Sequence, residues 1–165
     1  MITRLAAAIL LPLLFLPAHA ASAAEVADVR IDDKARVANA ELTLNGAGLR
    51  KRVFFQVYAI GLYLPEKKSV STEVIAATGP KRVAIHMLRD VDADQFSGAL
   101  ADGIKEAKKG MTIALDWTGK ATQVVVDGKA VGQPIAGEDF YRALLRIWLG
   151  DKPVQEDLKK SLLGS

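Results

Sequence analysis

The sequence predicts an α+β fold, one mainly antiparallel sheet with a layer of helices on one face. Three features carry that expectation. Strand-like stretches of branched and aromatic residues fill most of the chain, polar or glycine turns separate them, and two consecutive amphipathic helices close it.

The first twenty residues stand apart. Met1 to Arg4 is a short positive start, residues 5–17 are apolar and uncharged, and Ala18-His19-Ala20 has the small–x–small pattern of a signal-peptidase site. The apolar run is short for a bilayer core of about 30 Å, which favours a cleaved leader over an anchor. Residues 1–20 therefore read as a signal peptide, with cleavage as late as residue 24, and residues 25–165 as one domain. The expected location is periplasmic or secreted.

Residues 26–31 and 35–44 read as a strand pair joined by Asp32-Asp33-Lys34. Asn45-Gly46-Ala47-Gly48 interrupts the pattern, either as a bend where backbone comes near something or as a plain loop. Residues 53–64 form the longest strand candidate. Phe55, Val57, Ala59, Gly61 and Tyr63 share one face, and Tyr58, Ile60, Leu62 and Leu64 lie on the other. Both faces are apolar, so helices are expected on one side and a ligand cavity on the other. Pro65 ends the strand.

Residues 71–77 fit a short helix and residues 81–88 a strand. Asp92 and Gln95 have capping-box spacing, and Phe96, Ala99, Leu100, Gly103 and Ile104 then share a helical face that ends by Gly110. Residues 111–117 and 122–126 form a hairpin, and Asp127-Gly128 turns into a last strand. Phe140, Leu144, Leu145 and Trp148 lie at helical spacing, and Gly150 stops that helix. Pro153 suits the first turn of the final helix, which presents Val154, Leu158 and Leu162. These stripes read as core.

Composition removes several functions. There is no Cys, which excludes disulfides, thiol catalysis and thiolate-held metals. The net charge of +3 is too small to argue for nucleic acid. Arg50-Lys51-Arg52 fits an anionic ligand or a solvated turn. His86 is the sole histidine beyond the leader, so neither a metal site nor a Ser-His-Asp site is expected, and no phosphate loop is present. No cofactor is implied.

Residues 44–50 (Leu-Asn-Gly-Ala-Gly-Leu-Arg), followed by residues 57–64 (Val-Tyr-Ala-Ile-Gly-Leu-Tyr-Leu), resemble the chalcone isomerase-like family. The resemblance continues through residues 87–96 and 140–150 to Pro153-Val154 and Leu158-Lys159. It is closest to the bacterial exported branch. It implies an open-faced β-sandwich, a large antiparallel sheet under helices with a ligand cleft between them.

In the plant enzymes an arginine holds a phenolate while hydroxyl groups and water stabilise the enolate formed on ring closure. Carried over, that arginine is Arg50, though the connection to the next strand is shorter here. The threonine before Ala-Ile-Gly is Tyr58. The catalytic tyrosine is Phe96 and the asparagine one heptad later is Gly103, neither of which carries a donor. Helical residues that the family usually has are missing after Ile104.

These departures argue against chalcone isomerase activity and toward the family's fatty-acid-binding branch, where an arginine and a tyrosine hold a carboxylate. The resemblance thus implies Arg50, Tyr58 and Phe96 as ligand-binding residues and a small amphipathic acid or hydrophobic ligand as partner. Arg50 in an exposed turn and Tyr58 as a packed ring remain the alternative. An isomerase acting on an unsaturated carbonyl substrate, and a structural protein without a small ligand, are the competing functions.

Overall fold

The computed structural model describes residues 23–92 and 106–165. The signal-peptide assignment, Phe96, Gly103 and the helix expected after Asp92 therefore lie outside the described residues.

Seven strands form one sheet in the order β11-β10-β9-β6-β5-β4-β3, every neighbouring pair antiparallel. They are β3 (Lys34–Val37), β4 (Ala40–Arg52), β5 (Phe55–Leu64), β6 (Lys81–Met87), β9 (Thr112–Trp117), β10 (Ala121–Val126) and β11 (Lys129–Ala136). Between β6 and β9 the chain makes a detour. Short strands β7 (Val91–Asp92) and β8 (Glu106–Ala107) pair at Val91 and Ala107, which brings the two ends of that detour together.

Alternation decides what each face meets. From β5, β6 and β9, Ile60, Leu62, Leu64, Val83, Ile85, Met87, Ile113, Leu115 and Trp117 point to one face and are buried. Three helices cover that face: α1 (Ser71–Ala76), α2 (Glu138–Leu149) and α3 (Glu156–Leu162). They contribute Val74, Tyr141, Leu144, Leu145, Trp148, Leu149, Leu158 and Leu162 to the same core. Full burial of each large aliphatic side chain stabilises by about 1.5–3 kcal/mol before entropy is counted.

A hairpin, β1 (Ala23–Val26) and β2 (Val29–Asp32), covers part of the opposite face. Ile31 packs there with Leu42, Leu44, Ala59 and Tyr63, and the Tyr63 hydroxyl donates to the Asp32 carbonyl at 2.9 Å. The second apolar face of β5 is thus filled in part by the chain's own hairpin, where the sequence suggested a ligand cavity. Residues 26–31 and 35–44 are each divided by a two-residue turn, at Ala27-Asp28 and Ala38-Asn39. Each turn pairs a usual turn residue, Asp28 or Asn39, with an alanine at positive φ, Ala27 or Ala38, which carries no such preference.

The Asn45–Gly48 segment is not an interruption, because β4 runs through it with a bulge between Leu44 and Gly46. The glycines are there for α3. A Cβ on Gly46 would collide with the Ser161 carbonyl oxygen, and one on Gly48 would lie 2.7 Å from a Leu158 methyl. Asn45, buried at the bulge, locks the contact. Its amide donates to the carbonyls of Lys68 (2.9 Å) and Leu162 (2.7 Å) and accepts from Lys68 N–H (2.7 Å).

A charge cluster built on the buried Lys81 fastens the other end of the helical layer. The Lys81 ammonium is enclosed, donates to the Ala77 carbonyl and lies 3.5 Å from Glu138, which Arg142 reaches from one turn later at 3.1 Å. The final helix begins at Glu156, with Gln155 as its N-cap residue, later than Pro153 suggested. Gly110 follows β8 rather than a helix.

Candidate functional site

Arg50 and Tyr58 are brought together by strand register. The β4–β5 hairpin turns at Val53-Phe54, and its register sets Arg50 directly opposite Tyr58. Both side chains are partly buried. Tyr58 lies on the helix-facing side of β5 and packs against the margin of the main core. From α2, Trp148 donates its indole N–H to the Tyr58 hydroxyl at 3.0 Å. Because the indole can only donate, it fixes the hydroxyl as acceptor and turns the phenolic proton elsewhere. Among the described residues nothing accepts that proton.

Arg50 is steered from α3. Gln155 accepts from Lys51 N–H at 2.9 Å, donates to the Leu49 carbonyl at 3.1 Å, and lies 3.4 Å from Arg50 Nη1. Arg50 Nη1 also donates to the Lys51 carbonyl. Both bonds use one terminal nitrogen. The guanidinium also comes within hydrogen-bond reach of the Tyr58 hydroxyl, and with five N–H donors it still has hydrogens to offer a carboxylate. Arg50 and Tyr58 together offer a fixed cation beside a neutral O–H donor.

The electrostatics favour holding an anion over moving a proton. Burial raises the Tyr58 phenol above its ordinary value, opposed by the Trp148 hydrogen bond and the positive charge of Arg50. At neutral pH Tyr58 is a donor and no base. His86 cannot help, because it projects from the opposite face of the sheet, paired with Ala59 while Tyr58 pairs with Met87. There His86 Nδ1 lies 3.3 Å from the Thr112 hydroxyl, and burial lowers its pKa. Among the described residues no three His, Cys, Asp or Glu side chains gather into a metal site.

Arg50 and Tyr58, both singled out from the sequence, thus meet, while Phe96 lies outside the described residues. Trp148 and Gln155 join Arg50 and Tyr58 from positions that read only as core and as the first turn of the final helix. Trp148 sits on an ordinary apolar stripe, and its partner lies 90 positions away in sequence; Gln155 meets Lys51 across 104. No local pattern signals either.

An antiparallel meander, helices on one face and an Arg–Tyr pair at the rim of that layer define an open-faced α+β sandwich. The chain belongs to the chalcone isomerase-like family, whose model matches residues 23–112 and 104–164. Its fold is similar to the crystal structure of a fatty-acid binding protein of Arabidopsis thaliana. That likeness has a TM-score of 0.66 at 15% identity and covers 86% of this chain and 96% of the other. Among curated proteins, none matches the sequence.

Proposed function

We propose that this protein is an exported, non-catalytic binder of a small amphipathic carboxylic acid, such as a fatty acid. The observation that carries the proposal is the register pair of Arg50 and Tyr58, with the hydroxyl oriented by Trp148. A carboxylate at that point receives an N–H fork from Arg50 and an O–H from Tyr58. Its tail has the margin of the helix-facing core to lie against, where Tyr58, Val91 and Met111 are partly buried. The similar fold of a plant fatty-acid binding protein supports this substrate class.

Catalysis is the weaker alternative. The Arg–Tyr pair stabilises an anion already formed, and the described residues beside it include no general base. Export is supported by the leader pattern of residues 1–20 and by a family match that begins only at residue 23. Cleavage after Ala20 leaves β1 whole, whereas cleavage after residue 24 removes half of its pairing with β2.

The test is native mass spectrometry of the chain purified from an exporting host, followed by denaturing extraction. An added acid mass that disappears in Arg50→Ala supports the proposal. A protein that carries no acid and takes up none on incubation with fatty acids overturns it. N-terminal sequencing of the same sample locates the cleavage.

A further inference from the structure

The β4–β5 hairpin ends in a tip that no feature of the fold requires. Its two-residue turn is Val53-Phe54, and Val53, Phe54 and Phe55 are 78%, 94% and 59% exposed. Three consecutive large apolar side chains in water are unusual for a hairpin turn, which normally carries glycine, asparagine or aspartate. Val53 also adopts φ of 56°, the left-handed region that β-branched residues avoid. An asparagine would hold that conformation more easily. The sequence keeps an apolar side chain there despite the strain.

Cations stand directly behind the tip. Lys51 is exposed on the strand leading into it. Arg89 places its guanidinium over the Phe55 ring, 4.5 Å from the centroid. The acidic residue nearest in the chain, Asp90, accepts a hydrogen bond from Lys109 N–H at 2.8 Å. An apolar point backed by a basic collar is complementary to an anionic, fluid surface. The apolar side chains enter the headgroup boundary while the long cations stay level with the phosphates. Phe54, the most exposed of the three side chains, projects at the end of the hairpin, where it can enter a lipid surface.

We propose that the 51–55 tip, with Arg89, docks this protein onto anionic lipid bilayers. The proposal does not depend on the ligand assigned to Arg50 and Tyr58.

The experiment is vesicle co-sedimentation of the chain from Ala21 onward, which retains every described element and the whole family match. The leader is omitted because its apolar run partitions into lipid by itself. Vesicles of phosphatidylcholine alone are compared with vesicles containing phosphatidylglycerol. The expected result is binding to the anionic vesicles that weakens with salt. Phe54→Ser lowers the partition coefficient about tenfold or more, and Lys51→Gln lowers it about fivefold. Val53→Asn weakens binding while raising the melting temperature, which separates loss of docking from loss of fold. Absence of binding to anionic vesicles, or binding unchanged in all three variants, overturns the proposal. So does a protein that copurifies through the tip when vesicles are not bound.

Discussion

Trp148 donates its indole N–H to the Tyr58 hydroxyl at 3.0 Å, and that one bond links the second helix to the strand that carries the candidate site. It makes the tyrosine a directed donor. Trp148→Phe keeps most of the ring packing and removes the bond. The expected cost is about 1 kcal/mol in chemical denaturation. Affinity for a carboxylate ligand falls severalfold, because the freed hydroxyl no longer points its proton one way. Unchanged affinity in Trp148→Phe would show that the hydroxyl takes no part in binding.

The glycines of β4 make a sharper structural prediction. Gly46→Ala drives a methyl into the Ser161 carbonyl oxygen, which belongs to the backbone of α3 and cannot swing aside. Gly48→Ala meets a Leu158 methyl at 2.7 Å and the Ser161 Cβ at 2.9 Å, and side chains can adjust. Gly46→Ala should cost about 3 kcal/mol or more, and Gly48→Ala about 1–2 kcal/mol, the range of overpacking. Equal losses in thermal melts would contradict the close docking of α3 at Gly46.

Alkaline titration reads the burial of the tyrosines. Burial raises all three phenols: Tyr58, Tyr63, which is pushed up to about 12 with help from the Asp32 charge, and Tyr141, which donates to the Leu115 carbonyl at 3.0 Å. The folded chain therefore holds these protons more tightly than the unfolded chain does. The resulting stability is complete below the ordinary phenol value of about 10 and is lost as pH rises through the folded values. Ultraviolet absorbance should show tyrosinate appearing late and together with unfolding. A phenol that titrates near its ordinary value in the folded protein would place at least one ring in water.

Much of this architecture was legible in the chain. The alternation of β5 and β6, the stripe of α2 and the Asp127-Gly128 turn each follow local rules of spacing and backbone preference. The turns at Ala27, Ala38 and Val53 lay inside apparent strands because strand pairing imposes positive φ on alanine and valine, and the single Asp28 or Asn39 beside an alanine is a weak signal. Gly46 and Gly48 fitted either a close approach or a plain loop, and only α3, more than a hundred residues on, makes them a close approach. The site divides the same way. Arg50 and Tyr58 stood out through residues close together in the chain, whereas Trp148 and Gln155 join them only through the fold.

The most direct test of the central claim is a calorimetric titration of a long-chain fatty acid and its matched fatty alcohol into the wild-type chain and Arg50→Gln. The acid should bind wild type at least about tenfold more tightly than the alcohol, a difference of about 1.4 kcal/mol. Arg50→Gln should erase that preference while leaving the alcohol's affinity and the melting temperature close to wild type. Equal binding of acid and alcohol by wild type, or an acid preference that survives in Arg50→Gln, would contradict the assignment of Arg50 and Tyr58 as the carboxylate site.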